Sequence, residues 1–106
     1  MKEIILTSSP RSNKKWRVVI NDNQKIKNID FGASGYEDYT IHKDRKRQQS
    51  YISRHKSNEN WTDNGVDTAG WWSRWLLWEK PSMKSAINLV ALKVNNLGYD
   101  FYVEED

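Results

Sequence analysis

Apolar positions alternate along the first third of the chain and then switch to helical spacing. In Lys2–Thr7, Ile4 and Leu6 fall on one face and Ile5 on the other, which predicts a short strand. Residues 8–14 are polar and predict a loop. Trp16, Val18 and Ile20 share one face of the next run, Asn21-Asp22-Asn23-Gln24 is turn-forming, and Ile29 and Phe31 return in phase. This pattern predicts a β-hairpin over residues 16–31. A hairpin alone is only marginally stable, so it needs a third strand or a helix beside it.

Beyond Phe31 the period changes. Ser34 and Glu37 have the spacing of a capping box, which predicts a short helix over 33–39. Thr40–Lys56 predicts a longer one, with Asp44 a candidate start, and residues 57–65 form a polar loop interrupted by Trp61. Thr68 is placed to cap a helix that Pro81 ends. After Ser82, Met83, Ala86, Ile87, Val90, Ala91, Val94 and Leu97 recur at helical spacing, with Gly98 just past the end. Tyr99, Phe101 and Val103 alternate as in a final strand. The order predicts one α+β domain over residues 1–106. In it a small antiparallel sheet (N-terminal strand, hairpin 16–31, C-terminal strand) is packed by three to four helices, and a frayed tail spans 104–106.

The helix after Thr68 is the most unusual. Trp71, Trp72, Trp75 and Trp78 are four of the six tryptophans, and only Arg74 carries charge among them. Trp71, Trp75 and Trp78 make one helical stripe, with Trp72 and Leu76 beside it. A helix apolar nearly all round is buried by its own domain or by a partner. These four rings are therefore core or docking aromatics, and their burial decides which.

Composition favours the core. Aromatics make up 12% of a chain that is only 37% hydrophobic, so large rings must supply much of the buried area. The absence of cysteine removes disulfides, a thiolate nucleophile and any Cys-ligated metal. It also fits a reducing compartment. The apolar run at the N-terminus is too short for a secretory signal, and no run approaches a membrane span. A net charge of +3 allows a polyanionic partner without requiring one.

Charge is concentrated in residues 42–56, where six of fifteen residues are Lys or Arg. Lys43, Arg45, Lys46, Arg47, Arg54 and Lys56 are candidate contacts to phosphates or an acidic partner. On one continuous helix Lys43, Arg47, Ser50 and Arg54 form a stripe, with Ile41, Gln48, Ile52 and His55 facing the other way. The plainer reading is a solvated face with charges answered by Glu37, Asp38 or Glu59. His42 and His55 are the only histidines, and a continuous helix holds them roughly 20 Å apart. They are expected to hydrogen-bond and buttress the Trp helix. No four-ligand metal spacing, nucleophile elbow or facing carboxylate pair is found, so no catalytic, metal or cofactor residue is assigned.

Three blocks carry a resemblance: Phe31–Asp44, Tyr51–His55, and Thr68–Pro81, with Trp61 between the last two. This succession resembles an uncharacterised family of short proteins encoded by giant and other nucleocytoplasmic large DNA viruses. The likeness covers roughly residues 16–88; Trp72 stands where many members carry Phe. The family brings no catalytic residues to carry over. The resemblance implies a viral origin, a virion or host-cytoplasmic (viral factory) setting and a structural role.

These observations lead to a small non-enzymatic viral protein, a minor capsid or internal virion component that docks on other viral proteins. The alternative is an accessory protein that binds DNA or RNA through phosphates contacted by the basic helix. A metal-dependent nuclease-like enzyme using His42 or His55 ranks third.

Overall fold

The computed structural model describes residues 2–104. Strands β1 (Lys2–Ser8), β2 (Lys14–Asp22), β3 (Lys25–Ala33) and β4 (Asp100–Val103) form one sheet in the order β3-β2-β1-β4. The predicted hairpin is β2–β3. Its turn residues Asn23 and Gln24 have φ of 51° and 77°, the left-handed pair that matches the twist of a two-residue hairpin. Asn21 Oδ1 accepts a hydrogen bond from the Gln24 amide.

The α+β architecture is as the sequence predicts, with one difference. β4 pairs with β1 in parallel, from Glu3 opposite Asp100 to Leu6 opposite Val103, so the sheet is mixed. The cause is the connection. β1, β2 and β3 are joined by short loops and run antiparallel. The chain reaches β4 only through a series of helices, and a helical crossover returns a strand parallel to its neighbour. The Glu104 amide donates to the Leu6 carbonyl, so Glu104 continues the pairing instead of fraying. The remaining tail residues, 105 and 106, lie outside the described residues.

Four α-helices follow the hairpin: α1 (Tyr39–His42), α2 (Arg45–His55), α3 (Ala69–Trp72) and α4 (Met83–Asn96). The stretch 33–38 does not form the short helix that its Ser34/Glu37 spacing predicts. The Ser34 amide instead donates to Asn13, and Asp38, ion-paired to Lys15 at 2.8 Å, caps α1 by accepting from the Thr40 amide. The longer predicted helix is divided at Lys43, which is left-handed at φ 57°. Asp44 begins α2 by accepting from the amides of Lys46 and Arg47.

The Trp segment starts as predicted, with Thr68 accepting from the Trp71 amide. After Trp72 it widens into one π-helical turn, Ser73–Leu77. That extra residue per turn rotates the later positions, so Trp75 and Trp78 leave the stripe of Trp71. α4 ends in a Schellman motif: Tyr99 N–H donates to Val94 and Gly98 N–H to Asn95. Gly98 sits at φ 93°, where a side chain would be strained.

The core lies between the helices and one sheet face. Ile4, Leu6, Val18, Ile20, Ile29 and Phe31 meet Trp71, Trp72, Leu76, Leu77, Ala86, Val90 and Val94, all buried. Trp72 is completely buried; its Nε1 donates to Val66 and its ring packs near Phe31 and Phe101.

On the other sheet face polar residues pair across strands. Arg17 and Asp30, directly opposite in register, form a bidentate ion pair at 2.8 and 3.0 Å. Hydrogen bonding from Arg17 and from the Ser9 hydroxyl, with the charges of Arg17 and Arg11, holds the Asp30 carboxyl below the usual carboxylate range. A lowered folded-state pKa means stability present above the unfolded pKa and lost as pH falls through the folded one. Asp30→Asn should therefore flatten the acid limb of a melting-temperature profile between about pH 5 and pH 2. An unchanged acid limb would mean that the pair contributes nothing.

Candidate nucleic-acid interface

Helix α2 is held to the body by its inward residues. Gln48 and Tyr51 are buried, and Gln48 Nε2 donates to the carbonyls of Trp78 and Glu79 at 2.9 and 3.2 Å. Tyr51 stacks on Trp78 with ring centroids 4.4 Å apart and planes within 4°. His55 lies against the Tyr51 ring at 4.5 Å, and His42 against Trp78 at 5.3 Å. His42 thus contacts the Trp78 ring and His55 the Tyr51 ring. Among the described residues no group of three His, Asp or Glu side chains is placed to hold a metal ion.

The stack continues through cations. Trp61 lies beyond Tyr51 at 6.3 Å, and the Arg74 guanidinium lies over both Trp61 and Trp75, at 5.3 and 4.4 Å. The Lys93 ammonium lies 3.9 Å from the Trp75 ring centre. Arg74 is buried and paired to Glu79 at 2.8 Å. This answers its charge where burial alone would be costly.

Tyr51 responds to the same enclosure. Burial, then the negative charge of Glu59, pushes its phenol far above the ordinary tyrosine value. A raised folded-state pKa gives stability that is present below the unfolded pKa and lost as pH rises. Stability of the wild type should therefore begin to fall as pH rises past the ordinary tyrosine value, and Tyr51→Phe should weaken that fall. Melting curves at increasing pH read this directly, and identical alkaline limbs would contradict it.

The predicted docking aromatics divide. Trp71 and Trp72 are at most 1% exposed and belong to the core, so neither can dock a partner. Trp75 and Trp78 are half-buried. Their faces are taken by Arg74 and Lys93, and by Tyr51 and His42.

The predicted basic contacts also divide. Lys43 is not on α2: its Nζ is held by the carbonyls of Pro81 and Thr40, so it closes the α1–α2 corner. Arg47 is 3.7 Å from Glu37. Arg45, Lys46, Arg54 and Lys56 are exposed and make no ion pair among the described residues. Asp38 and Glu59, expected to answer these charges, are engaged with Lys15 and His55 instead. Ile41, expected on the inward face, is 51% exposed because the break at Lys43 turns α1 away from α2. The inward role falls to Tyr51, which the helical stripe did not single out. Its spacing to Gln48 and His55, three and four residues, is the signal that marks it.

Residues 4–55 match the model of a family of unknown function, DUF5754. The DUF5754 match runs from β1 through the end of α2, a little under half the chain, and stops short of the Trp segment. It therefore contains the sheet hairpin and the whole basic helix, but none of the partners that pack beneath that helix. No curated protein and no solved structure matches the chain.

Proposed function

We propose that the protein is a small non-enzymatic accessory protein that binds DNA or RNA phosphates through the outward face of α2. The observation that carries this reading is the set of four exposed cations without an acidic partner, Arg45, Lys46, Arg54 and Lys56. Arg45, Lys46 and Arg54 stand on, and Lys56 at the C-terminal cap of, a helix fixed by the Tyr51–Trp78 stack and the Gln48 hydrogen bonds. Lys46 and Arg54 are eight residues apart, about 12 Å along the axis. Between the cations the outward residues are Gln49, Ser50 and Ser53, all polar and exposed.

A protein-docking surface needs apolar or aromatic anchors at its centre, and this face has none. Phosphate binding needs only cations and hydrogen-bond donors. The helix belongs to no helix-turn-helix and presents no stacking strand among the described residues, so binding is expected to be driven by phosphates and governed by salt. The resemblance to proteins of large DNA viruses supports a setting in a virion or viral factory, alongside other viral proteins. No helix among the described residues is long and apolar enough to cross a membrane. The test is fluorescence anisotropy with a labelled mixed-sequence oligonucleotide at about 50 mM salt. Saturable binding is expected; no binding at that salt removes the reading.

A further inference from the structure

The sheet ends in two edge strands, β3 on one side and β4 on the other, and both run in the direction of β1. An edge presents N–H and C=O groups with which another strand can pair. The ladders show which groups these are. The two-residue turn at Asn23-Gln24 makes Asp22 and Lys25 a hydrogen-bonded pair. Lys25, Lys27 and Ile29 therefore bond to β2, while Ile26 and Asn28 turn to the open edge. On β4 the Glu104 amide bonds to Leu6, so Phe101 and Val103 turn to the opposite edge.

The two edges are complementary. Lys25 is exposed and makes no ion pair among the described residues, and neither do Asp100 and Glu104 at the two ends of β4. On the outward sheet face Ile26 of β3 is 66% exposed and Tyr102 of β4 is 52% exposed. On the helix side a cleft of about 480 Å3 opens along residues 25–27, with Ile20, Val66, Leu97 and Tyr99 in its lining. Val103, 39% exposed, points to the helix side of β4, in phase with Phe101 of the core. Lysines on an edge commonly keep other strands away. Here the far edge of the same sheet carries the carboxylates that answer them.

We infer that β4 of one copy of this chain adds in parallel to β3 of the next, extending the sheet head to tail. The phase of the free groups fits this pairing with the helices of both copies on one face, whereas an antiparallel junction of β3 with β4 would put them on opposite faces. With Phe101 opposite Lys25, Tyr102 meets Ile26 and Val103 meets Lys27 beside the cleft, and Asp100 and Glu104 bracket the two lysines. A register two residues further on would set Glu104 against Asp30, like charges directly opposite. Two β4 strands paired about Tyr102 would set Asp100 against Glu104 in the same way. A contact between two different surfaces does not stop at a dimer; it gives rings or filaments. The junction offers only the four residues of β4, so association is weak and depends on concentration.

Sedimentation velocity up to millimolar concentration tests this on the wild type, Ile26→Pro, Val103→Pro and an equal mixture of the two variants. Each proline removes an N–H that turns to an open edge and leaves the ladders within the sheet intact. The wild-type average mass should climb with concentration past that of two chains. Each variant alone should stay monomeric. Their mixture should form a dimer and stop there, because one variant keeps β3 and the other keeps β4. If circular dichroism shows Val103→Pro misfolded, Tyr102→Lys, at an exposed position, takes its place. A wild type that stays monomeric, or that stops at a two-fold dimer, overturns the inference. So does assembly by either variant alone, or a mixture that stays monomeric where the wild type assembles.

Discussion

Trp72→Ala should lower the free energy of unfolding by about 3–5 kcal/mol. Domains of this size are stable by only about 5–15 kcal/mol, so this one side chain accounts for a large part of the margin. The reason is local. Trp72 is completely buried at the junction of β3, β4 and α3, beside Phe31 and Phe101, and its indole N–H is satisfied by Val66. Alanine leaves a cavity that sheet and helices cannot close and orphans a carbonyl. Trp75→Ala should cost clearly less, because that ring is half-buried and held mainly by Arg74, Lys93 and one hydrogen bond to Trp61. Urea unfolding checks the order. The midpoint should fall much further for Trp72→Ala than for Trp75→Ala, at similar slope. Equal losses would mean that the core is not centred where the packing places it.

The second large effect is on binding. Replacing Arg45, Lys46 and Arg54 together by Gln should weaken association with mixed-sequence DNA or RNA by tenfold or more at about 100 mM salt. The stability of the fold should hardly change, since these three side chains are exposed and make no ion pair among the described residues. Lys43→Gln should behave in the opposite way. It releases the Pro81 and Thr40 carbonyls at the α1–α2 corner, so it should cost stability more than it costs binding. The separation matters because the sequence alone put Lys43 and Arg54 on one stripe.

Much of the fold is legible in the residues. The alternation of Trp16, Val18 and Ile20 against Ile29 and Phe31 gives the hairpin, and the run from Met83 to Leu97 gives α4, because each pattern spans enough residues to fix its period. The parallel placement of β4 is not legible. It depends on where a helical crossover delivers the chain, which no local pattern encodes. The break at Lys43 is hidden for a related reason. Asp38 and Asp44 are both good caps, and only the burial of Asp38 against Lys15 makes each begin its own helix.

The Trp segment is legible in kind but not in detail. An all-round apolar helix must be buried, and Trp71 and Trp72 are. The π-helical turn that turns Trp75 toward Arg74 and Trp78 toward Tyr51 depends on tertiary packing and has no signature in spacing. The candidate site is legible as a cluster of charge. Which charges are free was settled by partners distant in sequence: Pro81 for Lys43, Glu37 for Arg47.

We propose that the outward face of α2 holds nucleic-acid phosphates. The most direct measurement is the slope of log affinity against log salt for the wild type and the Arg45/Lys46/Arg54 triple variant, on one duplex. A steep negative slope is expected for the wild type, shallower by about three in the variant, near one per lost phosphate contact. Parallel slopes for the two proteins would contradict it.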